Sequence, residues 1–290
     1  MPLTDDATVL PNAKTMEKMK QEINPKIASK LQPLMPILAA AYGFALIYLT
    51  ALPLDGGIPA IAGDLLSCLL TLVCIILTLF LVNRVEPKLF ASARQFSLKM
   101  PKWPIIIGLL MIAPLWLVAE GYLVYGLTSL FHTVQLETLT YTTSELRDDL
   151  TASIHAVLLA PVLEELCFRQ MAISPFRRRS AQFAVCVVMA VLFGMLHVRN
   201  FPGAFLAAMV YGLAFIWSRN IWYGVALHAG HNLTATLLAL YCWLGLGDMQ
   251  MAKTPVIFLT DTPVIVGSIV LAIGGVLLMQ RYFTASGRRM

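Results

Sequence analysis

The chain alternates long apolar runs with short polar connections. Eight runs stand out, at roughly 33–52, 64–82, 103–128, 150–173, 183–198, 202–218, 221–244 and 263–281. Crossing about 30 Å of hydrocarbon takes about 20 apolar residues in a helix, so each run predicts a transmembrane helix. Gly and Pro punctuate the gaps, as at Pro53, Gly56, Gly57, Pro59, Pro101, Pro202, Gly203 and Pro263, and these residues favour turns over continued helix. The fourth run is the least apolar and is entered through the polar stretch from Ser144 to Asp149. No strand pattern, low-complexity tract or internal repeat is evident. The expected fold is all-α, a polytopic membrane protein with about eight transmembrane helices. Four regions follow: a polar tail or surface helix at 1–32, helices one to three at 33–142, a core of helices four to seven at 143–247, and the last helix with a basic C-terminus at 248–290.

Composition agrees with lipid as the main solvent. Hydrophobic residues make up 58% of the chain and charged residues 13%, against about 25% charged in soluble domains. The net charge of +5 does not indicate nucleic acid, because the basic residues sit in blocks between apolar runs without aromatic interleaving. All but four of the 21 Lys and Arg fall on one side of an eight-helix arrangement. The exceptions are Arg147, Arg199 and Lys253 on the other side and Arg169 within a helix. The positive-inside rule then puts both termini in the cytoplasm. The N-terminus lacks the order of a secretory signal, so the first membrane helix is expected to direct insertion. The compact chain and plain N-terminus point to a bacterial cytoplasmic membrane. The five cysteines lie in apolar stretches without metal or redox spacing and read as small buried hydrophobes.

The fourth helix carries the chemistry. It reads Pro161-Val-Leu-Glu164-Glu165-Leu-Cys-Phe-Arg169, and each charge at a helix centre costs about 2.5–3.5 kcal/mol on insertion scales. Intramembrane ionisable residues face the protein interior and mark function. Glu165 and Arg169 are four apart and can pair on one face. Glu164, turned by about 100°, is the less neutralised carboxylate and suits a general base. Taken alone, the cluster also fits an ion-pair network between helices or a proton relay. His197 ends helix five, and helix seven holds His228, His231 and Asn232. His228 and Asn232, four apart, can address one atom or water.

Glu164-Glu165-x-x-x-Arg169, Phe193-x-x-x-His197 and His228-x-x-x-Asn232 resemble the three motifs of the CPBP intramembrane peptidases (CAAX protease and bacteriocin-processing, or ABI, family). Order, the preceding Pro161 and placement on separate helices also match, over about residues 143–247. The resemblance implies that Glu164 and His197 activate a water. It implies that His228 and Asn232 stabilise the oxyanion and that Glu165 with Arg169 shapes the site. The substrate it implies is a membrane-associated peptide: the C-terminal tail of a lipidated protein, or a leader-type peptide of a bacterial maturation or immunity pathway. Zinc on Glu164, His197 and His228 is the mechanistic rival, since catalytic zinc takes three protein ligands and a water. No H-E-x-x-H occurs, and a metal-free reaction without cofactor is favoured. A proton-coupled transporter and a non-catalytic immunity or scaffold protein are the alternatives from other classes. The confinement of polar residues to one half opposes the first, and the completeness of the motifs opposes the second.

Other signals carry less. Gly245-Leu-Gly247-Asp248 imitates an aspartyl intramembrane protease motif, but the Tyr-Asp partner of that mechanism is missing. Glu120 is a lone carboxylate that pairs with a buried donor or stays wet. His155 precedes Glu164 by nine residues, which in an α-helix points it about 180° away, and it reads as structural. Arg177, Arg178 and Arg179 read as a topology anchor. At 1.5 Å per residue, Glu164 and His228 lie ~15 and ~10 Å from the cytoplasmic ends of their helices, and His197 ~21 Å. A tilt of about 40° in helix five brings the last to ~16 Å, leaving a site open towards the cytoplasm.

Overall fold

The computed structural model describes residues 25–51, 60–129, 134–138, 142–197, 200–246, 250–255 and 262–287. Among these, eight long helical stretches occur, one for each apolar run: α1 at 25–51, α2 at 60–89, α3 at 103–129, α4 at 143–171, α5 at 179–196, α6 at 201–218, α7 at 221–243 and α8 at 262–287. Five of them (residues 27–50, 62–89, 103–126, 179–196 and 201–218) are long and apolar enough to cross a membrane. α4, α7 and α8 are not among the five; α4 and α7 carry the Glu164, Glu165, Arg169, His228 and Asn232 residues of the motifs, and His197 ends α5, which is among them. Most of the N-terminal tail, residues 1–24, lies outside the described residues.

The surface is apolar, and a set of polar side chains is buried within the largely apolar interior. Leu65, Leu69, Ile76, Phe80, Met111 and Leu115 are exposed, whereas Glu86, Glu120, Glu165, Arg169, Gln170 and Gln182 are buried. That arrangement is what lipid as solvent requires. Buried threonines hide their hydroxyls by donating to carbonyls one turn back, as Thr71 does to Ser67, Thr78 to Cys74 and Thr234 to Gly230, a local bond open to short hydroxyl side chains.

α4 is wrapped by α1, α2 and α7, while α7 also packs on α3 and α6, and α6 on α5. The α6 seam is built from small residues, with Ala204, Ala208 and Gly212 one turn apart and buried. Small side chains let helix backbones approach closely in lipid, where no hydrophobic force pulls helices together.

The structure corrects two expectations. A short ribbon absent from the sequence reading is present: β1 (Val134–Thr138) pairs antiparallel with β2 (Gln250–Pro255), tying the connection after α3 to that after α7. α4 begins at residue 143, seven residues before its apolar run, and is not uniformly α-helical. Its backbone widens into wider-than-α (π) turns at 155–159 and 166–171. Pro161 lies just beyond the first of these; having no N–H and a ring that crowds the carbonyl four residues back, it cannot continue the regular ladder.

Candidate active site

Local capping sets the register of the site. Arg219 adopts φ 56° and ends α6. Asn220 caps α7, its side-chain oxygen accepting from the Trp222 N–H at 2.9 Å, which satisfies one of the orphan donors of a helix start. Trp222 Nε1 donates to the Leu98 carbonyl at 2.7 Å, pinning the segment before α3 under α7. His228 follows two turns above the cap. At the lower end of α4, buried Glu86 of α2 accepts from Ser174 and from Gln170 Nε2, the latter at 3.4 Å.

Glu165 and Arg169 form the expected pair along one face of α4, with Nη1 3.0 Å from Oε1 and both side chains buried. Arg169 Nη2 also donates to the Ala208 carbonyl of α6 at 3.1 Å. Its guanidinium carbon lies 5.1 Å from the Phe193 ring centre and 5.7 Å from that of Tyr211, within the range of cation–π attraction. One side chain thus joins α4, α5 and α6. Ala208 and Tyr211 lie on α6, which carries no motif; its small-residue spacing was the available signal.

His228 enters this assembly from α7. Nδ1 lies 3.2 Å from Glu165 Oε1, the oxygen that also faces Arg169. Nε2 lies 3.7 Å from Glu164 Oε2. The imidazole stacks on Tyr211 at 4.8 Å and meets Phe193 edge-on at 5.7 Å. Because an Arg-paired carboxylate accepts, His228 Nδ1 carries a proton and donates it. The approach demands a glycine on α7: a Cβ on Gly224 would lie 2.7 Å from Glu165 Oε2.

His197 sits at the C-terminal cap of α5 and is exposed. Its ring stacks on Phe193 at 4.6 Å, and Nδ1 is 3.0 Å from the Phe193 carbonyl. A carbonyl only accepts, so Nδ1 bears the proton and, in the neutral ring, Nε2 is left as a free base. Phe193 therefore stands between the two histidines and touches both. Asn232 takes a different direction from the one its spacing suggests: Nδ2 donates to the Ala156 carbonyl of α4 at 2.7 Å. Above it, Ser153 and Thr236 bond at 2.8 Å, so α7 is fastened to α4 at two levels.

A second carboxylate–imidazole pair lies on the other side of Tyr211. Glu120 of α3 is buried with Oε2 3.8 Å from His231 Nδ1, too far for a hydrogen bond. A zinc site would need Glu164, His197 and His228 to converge on one point. Among the described residues no three His, Cys, Asp or Glu side chains do so, and no chemical step below runs through a metal.

His155 departs furthest from expectation. The widened turn at 155–159 inserts an extra residue, so nine residues advance like about eight α-helical steps and leave His155 about 80° from Glu164 instead of 180°. Both residues line one cavity of about 40 Å³, with Ile47, Thr50, Ala160 and Leu163.

Residues 147–234 match the family model described as type II CAAX prenyl endopeptidase, Rce1-like. No curated protein and no solved structure matches the chain. The matched segment runs from the start of α4 into α7 and contains every residue of the three motifs. The chain is thus a multi-pass membrane protein whose residues 147–234 match the Rce1-like model of type II CAAX prenyl endopeptidases, a match consistent with the CPBP family.

Proposed function

We propose that the chain is an eight-span intramembrane endopeptidase of a bacterial cytoplasmic membrane, with both termini cytoplasmic. It hydrolyses a peptide bond in a membrane-associated substrate, either a lipidated C-terminal tail or a leader-type peptide. The observation that carries this reading is the meeting of two carboxylates of α4 with His228 of α7, beside the Arg169 ion pair. One carboxylate is neutralised by Arg169 and the other is not. That division gives Glu165 a structural task and leaves Glu164 able to take a proton.

In the proposed reaction, Glu164 and His197 Nε2 hold the attacking water. Glu164 takes its proton as the oxygen bonds to the scissile carbonyl carbon. The carbonyl oxygen becomes an oxyanion facing donors held in place by the fold, where such preorganisation contributes most. His228 donates through Nε2. Its Nδ1 proton is already given to Glu165, so donation on both sides requires the imidazolium form, whose charge also offsets Glu164. Asn232 spends one amide hydrogen on Ala156 and offers the second to the oxyanion. Collapse of the intermediate breaks the C–N bond, and Glu164 returns its proton to the leaving amine. The reaction is proposed to need neither metal nor cofactor.

The test compares peptide termini in membranes from cells expressing the wild type or Glu164→Gln at equal levels. The reading expects new C- or N-termini that occur only with the wild type. Identical termini in both membranes overturn it.

A further inference from the structure

The cavity beside Glu164 has a second polar wall that the reaction above does not use. His155 Nε2 is 2.8 Å from Thr71 Oγ1, and that hydroxyl gives its only hydrogen to the Ser67 carbonyl. Thr71 is thus the acceptor, and His155 Nε2 the donor. In the neutral ring the proton is placed on Nε2, which leaves Nδ1 as a lone-pair acceptor with no partner among the described residues. Thr50 spends its hydroxyl hydrogen on Ile47. Of the residues lining the cavity, Glu164, His155 and Thr50 are polar, and the ionised carboxylate, His155 Nδ1 and the Thr50 oxygen are acceptors. An apolar occupant would supply no hydrogen to any of these acceptors.

A water supplies what is missing. It carries two donors, and a cavity needs only about 10–15 Å³ and 2–4 polar partners to hold one. Some 40 Å³ with three polar residues among those lining it meets both conditions. Ser67 Oγ donates to the Thr50 carbonyl at 2.7 Å, so the same hydroxyl set also locks α1 to α2 and fixes the cavity's far wall.

We propose that this cavity is a water chamber of the hydrolytic site, in which His155 is a positioning residue. Chamber water donates one O–H to the Glu164 carboxylate and the other to His155 Nδ1. It thereby holds the carboxylate in the orientation that faces His228 and keeps water at hand when substrate covers the opposite side. His155 makes no contact with substrate. The inference rests on Glu164 acting as the base, and its test separates the two.

Four variants are compared in bilayers with a farnesylated, internally quenched peptide ending in a C-a-a-X sequence, or with a peptide made from a terminus found as above. Ala160→Leu fills the chamber from its apolar wall. His155→Leu removes the acceptor, His155→Gln restores an N–H for Thr71 and an acceptor for water, and Glu164→Gln is the reference. The proposal expects kcat to fall about ten- to hundred-fold in Ala160→Leu and His155→Leu, as for a misplaced reacting group. KM should stay unchanged and His155→Gln should recover most of kcat. If Glu164→Gln is inactive while Ala160→Leu and His155→Leu keep wild-type kcat, the chamber is refuted and the peptidase reading stands. Independently of activity, water-edited solid-state NMR reads the His155 ring nitrogens directly. Water transfer to Nδ1 that disappears in Ala160→Leu supports the chamber, and a dry Nδ1 in the wild type overturns it.

Discussion

Replacing Arg169 with methionine removes one cation from a nearly dry site. Arg169 and Glu165 are 2% and 0% exposed and lie 3.0 Å apart. The substitution also deletes the donor to the Ala208 carbonyl, 3.1 Å away, and the charge held against Phe193 and Tyr211. Among the described residues, Glu165 is left with His228 as its polar partner. Breaking a buried ion pair by removing one member costs about 3–5 kcal/mol, because the survivor is uncompensated. Adding Glu165→Gln to Arg169→Met removes that stranded charge, and methionine has the length to refill much of the volume. The double variant should therefore be more stable than Arg169→Met alone, with a coupling energy of about 1–3 kcal/mol. The assay is reversible unfolding of wild type, both single variants and the double variant in mixed micelles. Strict additivity, with the double variant losing the sum of the two single losses, would refute the view of Glu165 and Arg169 as one coupled unit.

Three further outcomes follow from the same geometry. Gly224→Ala places a Cβ 2.7 Å from Glu165 Oε2. Overpacking of this kind costs about 1–3 kcal/mol, and because the displaced oxygens hold His228, peptidase activity should fall further than thermal stability; equal losses in kcat and folded fraction would contradict this. Asn232→Ala deletes the bond to the Ala156 carbonyl and should lower unfolding free energy by about 1 kcal/mol while reducing kcat more than KM, as measured by unfolding and steady-state kinetics. Treatment with a strong zinc chelator, followed by removal of the chelator, should leave peptide hydrolysis unchanged at every stage; loss restored by added zinc would contradict the metal-free reaction.

Much of the helical framework was legible because its cause is local. A run of about 20 apolar residues has one stable conformation in lipid, and each of the eight runs lies in a helix. The Glu165–Arg169 pair follows from α-helical spacing alone. What escaped depends on departures from that spacing or on partners far along the chain. Nine residues of regular helix turn His155 away from Glu164, and the widened turn at 155–159 brings it back to one cavity. Pro161 was a signal of a break in the ladder, yet Pro114 sits inside α3 with no such turn, so proline alone does not decide. Asn232 has the spacing to share a target with His228, but a carbonyl 76 residues away claims one of its donors. Glu120 and His231 are read as separate residues until α3 and α7 pack. The β1–β2 ribbon joins segments more than a hundred residues apart, and the alternation of Val134, Gln135, Leu136 and Glu137 is too short to mark a strand without its partner.

The most direct measurement is single-turnover hydrolysis of a membrane-bound peptide by purified protein in bilayers, wild type against Glu164→Gln. A positioned general base contributes about 10²- to 10⁴-fold. The expected result is a rate constant at least about a hundred-fold lower in the variant, with peptide binding and unfolding free energy unchanged. Equal rate constants in the two proteins would contradict the assignment of Glu164 as the group that takes the water's proton.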